Sequence, residues 1–167
     1  MFMWRKVEKM NLISYTSGNL AFVMYLMEMG KSPEEINEIF KNIGRRIADG
    51  IFDDFMSKVK RVPENPDDVG ELINMLLDYS VGQKASDIEV RREEREIVVS
   101  CKVRSCKFCL DLESPSPMIF LCSGVAGLIE RIIERISRTL RIKEVECRET
   151  KCCARGDEYC EFVIRMA

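Results

Sequence analysis

All eight cysteines of this chain lie beyond residue 100, and histidine is absent altogether. Cys101, Cys106, Cys109, Cys122, Cys147, Cys152, Cys153 and Cys160 crowd into the last 67 residues. In an oxidising compartment such a cluster becomes a disulfide framework, and in a reducing one it more often holds a metal. Without histidine the commonest metal ligand and the commonest general base are both missing. A metal here must be held by thiolates and carboxylates. No Ser–His or Cys–His nucleophile can be assembled, and neither a P-loop nor a dinucleotide-binding glycine fingerprint occurs. The chain is therefore expected not to be an enzyme.

Spacing sorts the cysteines. Cys152 and Cys160 flank a turn at Ala154–Asp157 built on Gly156. A hairpin there brings them together, so one ion can bridge its two strands. Glu149 stands three residues before Cys152, which in a flat strand puts the two on opposite faces. They reach one ion only if the chain has begun to turn by Cys152, and Cys153 then points away. Cys122 precedes the apolar face of a long helix, where the helix N-terminus favours a thiolate. Cys106 and Cys109 form a lone CxxC that could supply a second metal, a disulfide or alternative ligands to the same ion. Cys101 and Cys147 fall on apolar strand faces and read as buried small hydrophobes.

The rest of the chain reads as α+β. Leu20–Met29 is apolar almost all round and is expected to be either a central core helix or part of a dimer interface. Ser32-Pro33-Glu34-Glu35 is a capping box, from which apolar residues recur at helical spacing as far as Val59. Gly44 and Gly50 interrupt this run and would allow another element to cross closely. A third helix is expected near Asp67–Tyr79. Ile88 and Val90 suggest a short strand, Arg91–Arg95 a turn, and Ile97–Arg104 a half-buried strand. Leu110–Pro117 reads as a loop, Cys122–Leu140 as a helix, and Ile142–Thr150 with Tyr159–Arg165 as a closing hairpin. N-terminal helices should pack on a mostly antiparallel sheet. The expected domain spans 1–167, mainly helical over 1–80 and carrying the sheet, long helix and hairpin over 81–167.

Apolar residues make up 46% of the 167 and the formal net charge is −2, which gives no general pull toward nucleic acid. No run of 18 apolar residues occurs, so no membrane span is expected. Met1–Asn11 carries Arg5, Lys6, Glu8 and Lys9 and lacks the apolar core of a secretory signal, so a cytoplasmic location is expected.

The C-terminal third carries a resemblance. Met118-Ile119-Phe120-Leu121-Cys122, followed by Gly124, Gly127 and a long helix, looks like the 4-vinyl reductase domain. Glu149-Thr150-Lys151-Cys152-Cys153-Ala154-Arg155-Gly156-Asp157-Glu158-Tyr159-Cys160-Glu161-Phe162 resembles that family's closing signature, E-x-x-C-x-A-x-G-x-x-x-C-x-F. Val103–Phe108 is similar to an upstream family stretch in which a cysteine follows a strand. The resemblance implies a fold like that of the small core subunits of the TRAPP trafficking complexes, usually dimeric through its helices. In phenol-sensing bacterial transcription activators a domain of this family forms the sensory module, and a structural zinc there organises a mostly apolar pocket. Its ligands are one cysteine before the helix, one glutamate and the two hairpin cysteines. By position these are Cys122, Glu149, Cys152 and Cys160, with Cys109 or Cys106 as alternatives to Glu149. Related domains accompany tetrapyrrole reduction.

This sequence shows neither the ATPase nor a DNA-binding module of those activators, and its lack of histidine argues against phenol itself. The resulting expectation is a zinc-stabilised domain that binds or senses a hydrophobic small molecule, as a homodimer reporting to a separate protein. A TRAPP-like scaffold subunit and a cysteine redox switch are the alternatives.

Overall fold

The computed structural model describes residues 17–109 and 112–167. The reading of Met1–Asn11, and the Leu110 end of the expected loop, lie outside the described residues. Four helices and one four-stranded sheet make up the described fold. Helix α1 covers 17–28 and ends in a turn at Gly30, whose φ of 75° a side-chain-bearing residue rarely adopts. Helix α2, Pro33–Lys58, begins as expected: the Ser32 side chain accepts from the Glu35 N–H, and the Glu35 carboxylate accepts from the Ser32 N–H. A 3₁₀ turn at Pro66–Asp68 leads into α3, Val69–Val81, which Gly82 ends in the left-handed conformation. Helix α4 is Ser123–Leu140.

The strands are β1 Asp87–Arg92, β2 Ile97–Arg104, β3 Val145–Lys151 and β4 Tyr159–Met166. They are antiparallel throughout, in the order β1-β2-β4-β3. Strand β1 runs on through Arg91 and Arg92, which pair with Val98 and Ile97, so the turn falls at Glu93–Glu96 and not at Arg91–Arg95. An edge strand tolerates those charges because one side of it stays in water. The inner face of the sheet is set by alternation: Val99, Cys101 and Val103 on β2 face the same way as Ile164, Phe162 and Cys160 opposite them on β4.

Helix α4 is the central helix. It lies between the sheet and α2, and eleven of its residues are buried, from Ser123 to Leu140. The approach to α2 is so close that an added Cβ on Gly44 would sit 1.8 Å from the Gly124 carbonyl oxygen, and one on Gly127 would sit 1.9 Å from that of Lys41. Gly44 thus serves a close crossing, as its place in the run suggested. Nothing lies near Gly50.

Leu20–Met29 does not occupy the centre. Val23 and Leu26 are buried, whereas Met24, Tyr25 and Met29 are exposed, Met29 at 63%. Of the two expectations for this segment, the central-helix one fails. Helix α4 takes that place because its charged residues are met within the fold. Glu130 pairs with Lys41 at 2.7 Å and with Arg45, and it accepts the Cys147 N–H at 2.7 Å. One continuous buried cluster runs through α2, α3, α4 and the sheet.

Candidate metal centre

Five cysteine sulfurs and one carboxylate meet where β2, β4 and the N-terminus of α4 come together. Cys152, just past the end of β3, and Cys160 on β4 stand together as the hairpin reading required. Glu149 arrives on the same side by a route the sequence did not reveal. Its partner on β4 is Phe162, but Lys151 pairs with Glu161, so the register slips by one residue at Thr150. That bulge restores the parity between Glu149 and Cys152, and both are buried in the core. The departure from a flat strand that the shared face requires thus falls at Thr150, before Cys152.

Cys122 is the N-cap residue of α4; its carbonyl accepts from the N–H groups of Val125 and Ala126. Ser105, at a φ of 48°, turns the chain out of β2 into the CxxC, which closes as a turn from the Cys109 N–H to the Cys106 carbonyl at 3.0 Å. Cys106 and Cys109 are buried beside Cys122.

The sulfurs are free thiols in close array. Sγ–Sγ separations are 3.7 Å for Cys106–Cys122, 3.1 Å for Cys109–Cys122, 3.5 Å for Cys109–Cys152, 3.9 Å for Cys122–Cys160 and 3.7 Å for Cys109–Cys160. A disulfide needs about 2.05 Å. Four thiolates around zinc, with bonds of about 2.3 Å, stand about 3.8 Å apart along each tetrahedral edge. Four of the five separations, 3.5–3.9 Å, are near that edge, Cys109–Cys122 is shorter, and none has the length of a disulfide. Two four-donor sets have all their ligand atoms within 4.8 Å of one another: Cys122, Glu149, Cys152 and Cys160, and Cys106, Cys109, Cys122 and Cys160. The first is the set expected from the resemblance, and the second contains both of the alternative ligands.

Glu149 points to a cation independently of the sulfurs. The residue is 8% exposed, and neither carboxylate oxygen has a hydrogen bond of ordinary geometry. Burial and the Cys152 thiol push its carboxyl well above the usual range, and the Cys122 N–H pulls only weakly the other way. An ionised carboxylate in such a place is stable only beside positive charge. Among the described residues no side chain supplies that charge to it; a divalent metal would.

Hydrogen bonding among the thiols polarises the array. Cys106 and Cys152 are held well below the usual thiol range, chiefly by Cys109, while Cys109, Cys122 and Cys160 are pushed up, chiefly by Cys106. The Cys153 N–H donates to the Cys160 sulfur at 3.3 Å, a contact that steadies a thiolate ligand. Cys153 itself belongs to neither set and is half-buried. Cys101 and Cys147 are buried on strand faces, as expected of small hydrophobes, and burial pushes the Cys101 thiol up to about 12.

Two positioning residues escaped the sequence reading. The Asn37 side chain on α2 donates to the Met118 carbonyl and accepts from the Phe120 N–H, both at 2.9 Å, and so pins the segment that ends in Cys122. Asp157, at the end of the turn Ala154–Asp157, accepts the Cys152 N–H at 2.8 Å. A polar residue on a helix two residues past its capping box gives no local hint of such a partner. Asp157, by contrast, stands five residues after the group it holds, across the turn that the hairpin reading places there.

Comparison with known proteins fits this geometry. Residues 99–166 match the 4-vinyl reductase domain. The matched segment takes in β2, the CxxC, α4 and the hairpin, and with them every donor of the candidate centre. The chain is also similar to two uncharacterised proteins of Methanocaldococcus jannaschii. It is 30% identical to MJ0150 over 132 residues, or 78% of this chain, and 36% identical to MJ0745 over 66 residues, or 39% of this chain. It spans 65% and 32% of their respective lengths.

Among solved structures, a trafficking protein particle complex subunit 3 from Naegleria fowleri, covalently bound to palmitic acid, superposes with a TM-score of 0.72 at 19% identity. That likeness covers 95% of this chain and 96% of the other. The phenol-responsive sensory domain of the transcription activator PoxR, with phenol, gives 0.59 at 10% identity, over 91% of this chain and 74% of that one. At such identities the likeness is one of fold. It extends beyond the 4-vinyl reductase segment to the helical half.

Among the described residues no helix is long and apolar enough to cross a membrane. A groove of about 770 Å³ lies away from the sulfurs, lined by Lys41, Glu130, Glu134, Lys143 and Arg165 among others, and its charge suits no apolar ligand.

Proposed function

We propose that this chain is a zinc-stabilised, non-catalytic domain that binds or senses a hydrophobic small molecule, acts as a homodimer and reports to a separate protein. The buried sulfur array with the unpartnered Glu149 carboxylate inside it carries the metal part of this reading. Cys122, Glu149, Cys152 and Cys160 are the proposed zinc ligands. A site closed by four protein donors leaves no position for an activated water, so the zinc would be structural. It would fasten the β3–β4 hairpin to the start of α4.

The ligand part is supported by the 4-vinyl reductase match and by two folds of this kind that carry apolar molecules, palmitic acid in one and phenol in the other. The test is a thermal-shift series on the full chain with saturated fatty acids and substituted phenols. A ligand at a hundred times its Kd adds about 2.7 kcal/mol of stability, which raises the melting temperature by roughly 5–10 °C. A flat series across both classes would count against the sensing reading.

A scaffold role is the second reading. Its support is the apolar face of α1, where Met24, Tyr25 and Met29 are exposed, together with Ile43 and Ile47 on α2. Co-purification with a stable heterologous subunit and no small molecule would favour it.

A further inference from the structure

We infer that the sulfur cluster is built for two metal ions that share the thiolates of Cys122 and Cys160. The inference rests on the metal reading above and adds a second ion to it. One tetrahedral ion takes four donors, and two that share an edge take six. Six donors converge here, five sulfurs and one carboxylate, and the two four-donor sets overlap in Cys122 and Cys160 alone.

A single ion leaves part of the cluster unexplained. An ion on the set with Glu149 strands Cys106 and Cys109, which are 3% and 4% exposed and lie against Cys122. An ion on the all-thiolate set leaves Cys152 idle and both Glu149 oxygens buried without a partner. Only the two sets together use every donor. Charge agrees with this count. Six anions around two divalent ions leave the same residual charge as four anions around one, whereas six around one would leave twice as much.

The shared edge has the right length. Cys122 and Cys160 stand 3.9 Å apart, close to the roughly 3.8 Å of a tetrahedral edge of sulfurs around zinc. Cys106–Cys122 and Cys109–Cys160, both 3.7 Å, are edges of the all-thiolate set. Two separations lengthen on loading: Cys109–Cys122, an edge of the all-thiolate set at 3.1 Å, and Cys109–Cys152, at 3.5 Å between residues that would serve different ions. Thiolate sulfur keeps lone pairs free after binding one soft cation and can bridge to a second. Both sites are therefore suited to zinc or another thiophilic divalent ion.

The experiment is metal loading of the reduced 167-residue chain with excess Zn²⁺, read by native mass spectrometry. Two ions per chain are expected. The Cys106→Ser, Cys109→Ser variant should hold one, and so should the Glu149→Gln, Cys152→Ser variant. Cadmium-113 loading of the unaltered chain needs no variant to fold. It should give two resonances in the thiolate range, coupled to each other through the bridging sulfurs. One ion per chain, with a single cadmium resonance, would overturn the second site and leave the single structural ion standing. No bound ion would overturn both.

Discussion

Glu149 and Glu130 are the two buried glutamates among the described residues, 8% and 5% exposed, and they differ in what meets their charge. Glu130 has Lys41, Arg45 and a backbone N–H; Glu149 has sulfur on its side and no cation. Removing Glu130 strands Lys41 and frees the Cys147 N–H inside the core. Glu130→Ala should therefore cost about 3 kcal/mol in chemical denaturation. Glu134→Ala, which breaks a half-exposed pair with Arg45, should cost under about 1 kcal/mol. Equal costs would mean that burial does not govern these pairs. The thiols give a second test at this scale. At pH 8.5 the Cys101 thiol, pushed up to about 12 by burial, stays neutral in the folded protein, whereas in the unfolded chain it ionises near 9.0. Native-state alkylation followed by mass spectrometry should label half-buried Cys153 first and reach Cys101 and Cys147 only on unfolding. Early labelling of Cys101 would contradict the packing of β2.

At the scale of elements, the crossing of α2 over α4 rests on missing side chains. A Cβ on Gly44 meets backbone, not a flexible tip, so the helices must separate to admit it. Gly44→Ala should cost about 1–3 kcal/mol and lower the melting temperature by roughly 3–10 °C. Gly50→Ala, with open space around it, should be neutral or slightly stabilising through helix propensity. What could be read in advance divides along the same line. The capping box of α2, the hairpin and the helix after Cys122 are local patterns, and the sequence announces them. The bulge at Thr150 is a register event between β3 and β4, and one strand alone does not encode it. Nor does the convergence of Cys106 and Cys109 on Cys122 show locally, because it depends on where β2 ends relative to α4. For Leu20–Met29 the nearly all-apolar sequence left two positions open, and the central one fails because α4 holds the centre, where α2 and β3 supply partners for its buried charge.

For the whole molecule the central claim is that metal, held by cysteines spread over β2, α4 and the hairpin, is part of what folds the chain. A bound structural ion contributes folding free energy directly, because the unfolded chain offers no preformed site. The hairpin otherwise meets α4 through side-chain packing and the Cys147 N–H bond to Glu130, and the loop before α4 holds its turn through the Ser114 N–H, which bonds the Ala154 carbonyl at 2.7 Å. The most direct measurement is the melting temperature of the reduced 167-residue chain before and after metal is stripped by a strong chelator, with zinc added back to the stripped sample. The account predicts a fall of at least about 10 °C on stripping, fully restored by zinc. An unchanged melting temperature, with no metal found in the starting protein, would contradict it.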